Sequence, residues 1–324
     1  MQTKPLTALV VTYNRLEHLK QTLARLLASG DVTLQRVIVV DNASDDGTEA
    51  WLKSHPDPRV LPYRCGENTG GAGGFTLGIS LWREAGETDW VVLMDDDGRP
   101  EPGALEAFVN APRKTNEIWL GAVYYPDGDI CEFNRPWVNP FWSATGLFKA
   151  FWQGRKGFHI SDAAYIAVTP QQIDGGSFVA QFVSRRAVDL GGLPDADLFI
   201  YGDDVLFTLG LRKAGGTIGF DPAVRFEHDC RPGHGVGTLI SPLWKLYFLY
   251  RNQIMMYRSA AGPFWIWPAL MVILPLWWWR GRKYQAEKRR YRALFWRAVG
   301  DGLRGRKMRK LADITALLRE IPST

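Results

Sequence analysis

The sequence predicts an α/β fold: a mainly parallel central sheet with helices on both faces, followed by a helical C-terminal region. Three observations carry that expectation. Over the first hundred residues apolar runs alternate with amphipathic ones, each apolar run ends in polar or glycine-rich residues, and beyond residue 239 the composition turns tryptophan-rich and then basic. With 324 residues, 46% of them hydrophobic and 13% aromatic, the chain can bury a full core, which excludes a disordered protein.

"LTALVVTYN" reads as a first strand. "RLEHLKQTLARLLASG" follows as a helix, with Leu16, Leu19, Leu23, Leu26 and Leu27 on one face and Gly30 as its stop. "RVIVVDNASDDGT" is a second strand leading into a helix from about residue 47, "RVLPYRC" a weaker third strand, "GGAGGFTLGISLWREAG" a glycine-opened helix, and "DWVVLMDDD" a fourth strand. Ligands of such sheets bind beyond the carboxyl ends of the strands, so the polar tips form one shelf. From about residue 101 to 235 the pattern is mixed. "EIWLGAVYYP" reads as a strand, "NRPWVNPFWSATGLFKAFWQG" as a long surface insertion rather than a helix, "DGGSFVAQFVSRRAVDLGG" as a strand and short helix, and "FIYGDDVLFTLGLRKAGG" as a loop opening a helix. These readings divide the chain into a catalytic-type domain, 1–238, and a helical region, 239–324.

The C-terminal region is distinct in chemistry. "WKLYFLYRNQIMMYRS" is expected to be helical, and residues 260–279 are twenty residues without a charge, just long enough to cross a bilayer of roughly 30 Å. Pro263, Pro268, Pro275 and five tryptophans favour a bent, re-entrant or in-plane path over an ordinary spanning helix. Beyond it Tyr284, Tyr291, Leu294, Phe295, Ala298 and Val299 share a helical face among arginines, the pattern of a helix lying in a membrane interface. Residues 280–310 hold thirteen Lys/Arg against Glu287 and Asp301, so a chain of net charge +5 is an acidic body with a basic tail. Beside a charge-free, Trp-rich run, that tail suits anionic lipid and not nucleic acid. The N-terminal apolar run is too short for a signal peptide, which places the expected location at the cytoplasmic face of the membrane, peripheral or monotopic. Cys65, Cys131 and Cys230 form no CxxC pair and read as idle thiols of a reducing compartment.

Asp95, Asp96 and Asp97 follow the fourth strand directly. Read alone they are either a solvated acidic turn or a metal–diphosphate site, because Mg²⁺ or Mn²⁺ takes one or two carboxylates together with phosphate oxygens. Strand alternation points Asp95 and Asp97 one way and Asp96 the other. On the same shelf Thr12, Tyr13 and Asn14 can line a base pocket, with Arg15 beside them, and Asp41 can accept from a nucleobase N–H or a ribose hydroxyl. Asn68 and the glycines around Gly71 let backbone approach a ligand. No GxxxxGK[ST] is present, and "GGAGG" is not the dinucleotide GxGxxG.

Taken in order, "VVTYNR", "VVDNASDDGT", "ENTGGAGGF", "LMDDDGRPEPGAL" and "FIYGDDVLFTLGLRKAG" resemble the motifs of inverting family 2 glycosyltransferases with the GT-A fold, over roughly residues 5–230. "NTGGAGGF" together with DDD is similar to bacterial galactofuranosyltransferases, and less closely to rhamnosyltransferases of cell-envelope polysaccharides. The resemblance implies a UDP- or dTDP-sugar donor, a glycan or lipid-linked acceptor, and Mn²⁺ or Mg²⁺. It implies donor and metal contacts at Asp95, Asp96 and Asp97, a catalytic base at Asp204 with Asp203 beside it, and completion of the metal site by His228. "DGGSFVAQF" departs from relatives that place a Trp pair near this position, so Gly176 and Ser177 leave the acceptor open, with Trp142 able to stack on a sugar ring. A nucleotide-sugar-binding protein without transfer activity is the alternative from another class.

Overall fold

The computed structural model describes residues 4–113, 115–230, 239–307 and 310–322. The expected boundary at 238 closes a stretch outside the described residues, as does Arg309 of the basic run. The first 100 residues follow the expected alternation: β1 (Leu6–Thr12), α1 (Leu16–Leu27), β2 (Leu34–Asp41), α2 (Thr48–Lys53), β3 (Val60–Arg64), α3 (Gly70–Ala85), β4 (Trp90–Asp95) and β5 (Gly98–Pro100). There follow α4 (Ala104–Asn110), β6 (Ile118–Tyr124), α5 (Ala144–Gln153), α6 (Asp162–Tyr165), β7 (Gln171–Ile173), β8 (Gln181–Ser184), α7 (Arg185–Gly191), α8 (Asp203–Lys213) and β9 (Ile218–His228). The C-terminal region is helical throughout its regular structure, with α9 (Lys245–Arg280), α10 (Lys288–Arg304) and α11 (Leu311–Glu320).

The sheet runs β3-β2-β1-β4-β8-β6-β9-β5, with β7 also on β9. β1, β2, β3 and β4 pair in parallel, as the βα rhythm dictates. β8 then enters antiparallel between β4 and β6, and β5 and β7 pair antiparallel with β9, so the sheet is mixed rather than mainly parallel. The central strands of the parallel half are buried on both faces, which explains their uninterrupted apolar runs. One core cluster joins Leu9, Val11, Val40 and Leu93 to α3 through Phe75, Ile79 and Trp82. A second joins Val10, Val39 and Met94 to α1 through Leu19, Leu23 and Leu26.

Gly70 opens α3 at φ +71°, a left-handed backbone that favours glycine, and a Cβ there would lie 2.1 Å from the Phe199 carbonyl oxygen. Backbone cannot yield as a side-chain tip can. Gly70→Ala should therefore cost at least about 2 kcal/mol and lower Tm by roughly 4 °C or more. Gly71→Ala, whose Cβ meets nothing within 4 Å, should leave Tm almost unchanged in the same melting experiment.

Two expectations from sequence are corrected. The aromatic insertion contains a helix, α5, capped by the Ser143 hydroxyl, which accepts from the Gly146 N–H at 3.0 Å; its Phe148, Phe151 and Trp152 remain exposed. The face of α10 read as interfacial is internal: Tyr291, Leu294, Phe295, Ala298 and Val299 are buried in one cluster with Ile254, Ile266, Leu270 and Trp277 of α9. The same periodicity serves either partner, and here a neighbouring apolar helix covers it first. α9 itself breaks at Gly262 (φ 71°, ψ −174°), immediately before Pro263. Its first half packs into the body. Its second half exposes Phe264, Trp265, Trp267, Met271, Val272 and Leu276. By length and composition the stretch Lys245–Lys283 could cross a membrane.

Candidate active site

Parallel pairing aligns Val11 of β1 with Asp95 of β4, so the strand tips carrying Thr12 and the acidic triplet emerge side by side. The chain then turns into β5, whose antiparallel register sets Gly98 opposite His228 of β9. That register delivers the histidine from 131 residues away: His228 Nε2 stands 3.1 Å from Asp97 Oδ1, and ligand atoms of Asp95, Asp97 and His228 all lie within 4.8 Å of one another. Asp96 accepts from the Thr12 hydroxyl at 2.8 Å through one oxygen and from the Arg15 guanidinium at 3.2 Å through the other, so Arg15 bridges it to Asp97.

The charges in this cluster are unequal. Burial works against ionisation of Asp97, but the His228 hydrogen bond and the Arg15 guanidinium, 2.6 Å away, hold its carboxyl well below the usual carboxylate range. Burial, and then the neighbouring Asp97, push Asp95 up to about 6; burial outweighs Arg15 and carries Asp96 to about 7. Burial opposes protonation of His228, yet its hydrogen bond to Asp97 raises it to about 10. With Nδ1 2.6 Å from Asn134 Oδ1, the ring is held between Asp97 on one side and Asn134 on the other.

Two adjoining cavities meet at this cluster. A cleft of about 690 Å³ is lined by Thr12, Tyr13, Arg15, Asn68, Gly71, the whole acidic triplet and His228. A second, of about 330 Å³, is lined by Ser177, Asp203 and Asp204, and shares Gly71, Asp95, Ile200 and Tyr201 with the first. Asp203 and Asp204 occupy the first turn of α8 behind Gly202, where a helix N-terminus favours carboxylates. The Val205 N–H donates to Asp204 Oδ1 at 2.7 Å and fixes the orientation of the carboxyl group. Burial, with a contribution from the Asp95 charge, nevertheless pushes Asp204 up to about 6, and burial and the Asp204 charge push Asp203 well above its ordinary value.

Four expected site residues stand elsewhere. Asp41 is buried against Arg64 at 2.7 Å and accepts the Ser44 N–H at 2.9 Å, so its carboxylate stabilises the turn after β2 and does not line either cavity. Asn14, at φ 54°, accepts from Asp45 N–H and donates its own N–H to Ser44, which is again turn chemistry. Gly176 is buried with Leu120 where its Cβ would be, leaving Ser177 alone to reach the smaller cavity. Trp142 lies outside both cavities, with the Arg212 guanidinium 5.6 Å from its ring.

Residues missed from sequence complete the site. Asn252 of α9 donates to the carbonyls of Leu198, Ile200 and Tyr201, and Arg251 donates to those of Asp197 and Leu198, so the loop before Asp203 is clamped by a helix of the C-terminal region. The loop needs the clamp because Phe199 and Tyr201 both adopt positive φ. The available signal was the polar Arg–Asn pair inside the apolar and aromatic run around "LYRNQ", a pair the structure buries fully. Asn134 also links the site, donating to the Ser177 hydroxyl at 2.6 Å.

A mixed α/β sheet with an acidic triplet beyond its central strands, whose cleft shares Asp95 with the cavity of a second aspartate pair, has a GT-A-type glycosyltransferase fold. A solved structure of this fold, GalNAc-T7 with UDP, GalNAc and Mn²⁺, superposes with a TM-score of 0.53 at 13% identity, over 75% of this chain and 48% of that one, so the chain spans about half its length. Residues 7–166 match the family model Glycosyl transferase family 2, and the chain carries a domain of that family. It is 28% identical over 298 residues to the galactofuranosyltransferase GlfT1 of Mycolicibacterium smegmatis, covering 89% of this chain and 92% of the relative. It is 26% identical over 245 residues to the N-acetylglucosaminyl-diphospho-decaprenol L-rhamnosyltransferase of Mycobacterium tuberculosis, covering 70% and 76% respectively.

Proposed function

We propose that this protein is an inverting glycosyltransferase that moves galactofuranose from UDP-galactofuranose to a hydroxyl of a lipid-linked or polysaccharide acceptor in cell-envelope glycan synthesis. One observation carries the reading: Asp95 lines both the cleft that gathers Arg15, Asp97 and His228 and the cavity that holds Asp204. A donor diphosphate in the first and an acceptor hydroxyl in the second would meet at that carboxylate. The similarity to a galactofuranosyltransferase over nearly the whole chain favours the donor sugar. The similarity to a rhamnosyltransferase supports a second reading, with dTDP-rhamnose as donor.

Two carboxylates and an imidazole nitrogen suit Mn²⁺, and Mg²⁺ with water filling the remaining positions, so Asp95, Asp97 and His228 would hold the cation. Such a cation offsets charge on a departing diphosphate. The protein's own groups do the rest. Arg15, 44% exposed along its side chain, reaches from Asp97 into the cleft and can turn toward a phosphate oxygen. Thr12, Tyr13, Asn68 and Gly71 line the wall against which a nucleotide would lie, together with Asp96, which Thr12 holds in place. Asp204 takes the proton from the acceptor hydroxyl as that oxygen attacks the anomeric carbon in line with the leaving phosphate, which inverts the centre without a covalent enzyme intermediate. Asp203 and Ser177 border the acceptor side. Residues 239–324 act as the membrane-associating region at the cytoplasmic face, through the exposed aromatic face of the second half of α9 and the basic residues after it.

The test is to incubate purified protein with a panel of UDP- and dTDP-sugars, Mn²⁺ and a lipid-extract acceptor, and to measure nucleotide release. Release with UDP-galactofuranose that requires the lipid extract is expected. Release with dTDP-rhamnose alone would establish the second reading, and no release with any donor would sink both.

A further inference from the structure

His228 faces two ways. Nε2 addresses Asp97 in the acidic site, while Nδ1 points to the opposite side, 3.9 Å from the Cys131 sulfur. Cys131 Sγ is 3.7 Å from Cys230 Sγ, and ligand atoms of Cys131, His228 and Cys230 fall within 4.8 Å of one another. The fold builds this group from two places. Cys131 is fixed where its N–H donates to the Val123 carbonyl of β6 at 3.0 Å. Cys230 follows His228 by two residues, with the Asp229 N–H donating to the Asp97 carbonyl at 2.9 Å, so the β9 alternation carries its thiol to the side of the histidine.

The separations discriminate between ligand chemistries. A disulfide needs its sulfurs about 2.05 Å apart. A tetrahedral zinc with bonds of about 2.3 Å to sulfur and 2.05 Å to nitrogen sets two sulfurs about 3.8 Å apart and sulfur from nitrogen about 3.6 Å apart. Asn134 Oδ1, 2.9 Å from Cys131 Sγ and 2.6 Å from His228 Nδ1, is hydrogen-bonded to both and is closer than a fellow ligand about 3.4 to 3.6 Å away would sit, so an ion there would replace these two hydrogen bonds. Cys131 and His228 are buried and Cys230 is half-buried.

We propose that Cys131, Cys230 and His228 Nδ1 form a second metal site, for a thiophilic divalent cation of the Zn²⁺ or Cd²⁺ class, on the edge of the imidazole away from the acidic triplet. Soft thiolates disfavour Mg²⁺ and Mn²⁺, so the two edges of one ring select different ions. Binding requires both sulfurs as thiolates and Nδ1 without a proton. The remaining N–H then sits on Nε2 and donates to Asp97, which removes the lone pair His228 would offer a cation between Asp95 and Asp97. Zinc should therefore antagonise manganese. That antagonism rests on the function proposed above; the thiol site does not.

The experiment is a Cd²⁺ titration of the reduced, full-length, detergent-solubilised protein in the presence of excess Mg²⁺, following the ultraviolet sulfur-to-cadmium charge-transfer absorption. We expect the band to saturate at one Cd²⁺ per chain, to be removed by competing Zn²⁺, to vanish in both C131S and C230S, and to persist in C65S and D95N. Equal melting temperatures of the four variants would show that lost absorption is not lost folding. A band that survives C131S or C230S, disappears in D95N, or never forms would overturn the site. Undiminished Mn²⁺ binding in D95N would instead overturn the acidic-site reading and leave the thiol site standing.

Discussion

Asp204→Asn should lower turnover by roughly 10² to 10⁴-fold while changing UDP affinity by less than about 3-fold. The asparagine keeps the shape of the side chain and can keep an oxygen toward the Val205 N–H, so the cleft around Asp95 retains its wall. What it loses is a site for the acceptor's proton. Because burial and the Asp95 charge raise Asp204 to about 6, the wild-type rate should fall about tenfold per pH unit below that point as the base becomes protonated, and the residual rate of the variant should lack that limb. The same shift makes a stability prediction of opposite sign. Asp204 binds its proton more tightly folded than unfolded, so its ionisation erodes stability as pH rises from about 4 through 6; the variant should melt higher than wild type at pH 8 and equally at pH 4. Single-turnover rates and calorimetric UDP titrations at several pH values read all of this. A loss of turnover under about tenfold would remove Asp204 from the role of base, and wild-type turnover without any acceptor dependence would favour hydrolysis over transfer.

The parallel half of the sheet was legible because its strands are buried on both faces and so appear as unbroken apolar runs ending in polar residues. β9 was not read as a strand, although Val224, Phe226 and His228 alternate with Arg225 and Glu227; Pro222 inside the run masked the period. With β9 unseen, the meeting of His228 with Asp97 could be reached only by resemblance, since that contact is a consequence of the β5 and β9 register. The acidic triplet and the Asp203–Asp204 pair were plain as motifs. The displaced roles of Asp41 and Asn14 were not, because Arg64 and Ser44, which engage them, are distributed over the next strand and turn and carry no pattern of their own. Likewise an amphipathic period states that α10 has an apolar face and not what covers it.

The acidic triplet supplies a sharper test than simple loss of activity, because its members are held in different states. Asp97 is the ionised one, pinned between Arg15 and His228. Asp97→Asn removes a charge the site requires, and the loss of a carboxylate ligand should reduce turnover by roughly 10² to 10⁴-fold, the equivalent of about 3 to 5 kcal/mol of transition-state stabilisation. It should also abolish the rise in Tm that Mn²⁺ and UDP together give the wild type, a rise that follows the logarithm of ligand concentration over Kd and that EDTA should reverse. Asp96 is different. Its carboxyl, buried and raised to about 7, already spends much of its time neutral at physiological pH while accepting from Thr12 and, at 3.2 Å, from Arg15, which keeps its shorter 2.6 Å contact to Asp97; Asp96→Asn therefore replaces an acid with a near-isostere that still offers an oxygen and should cost less than about tenfold in turnover, with the Mn²⁺ shift intact. The wild-type shift itself should shrink below pH 6, where Asp95 takes up its proton and a cation must displace it. Two isosteric substitutions one residue apart with effects differing by at least tenfold separate a cation site built on Asp95 and Asp97 from a merely acidic turn, for which both would do equally little. An Asp97→Asn protein that still melts higher with Mn²⁺ and UDP would place the cation elsewhere.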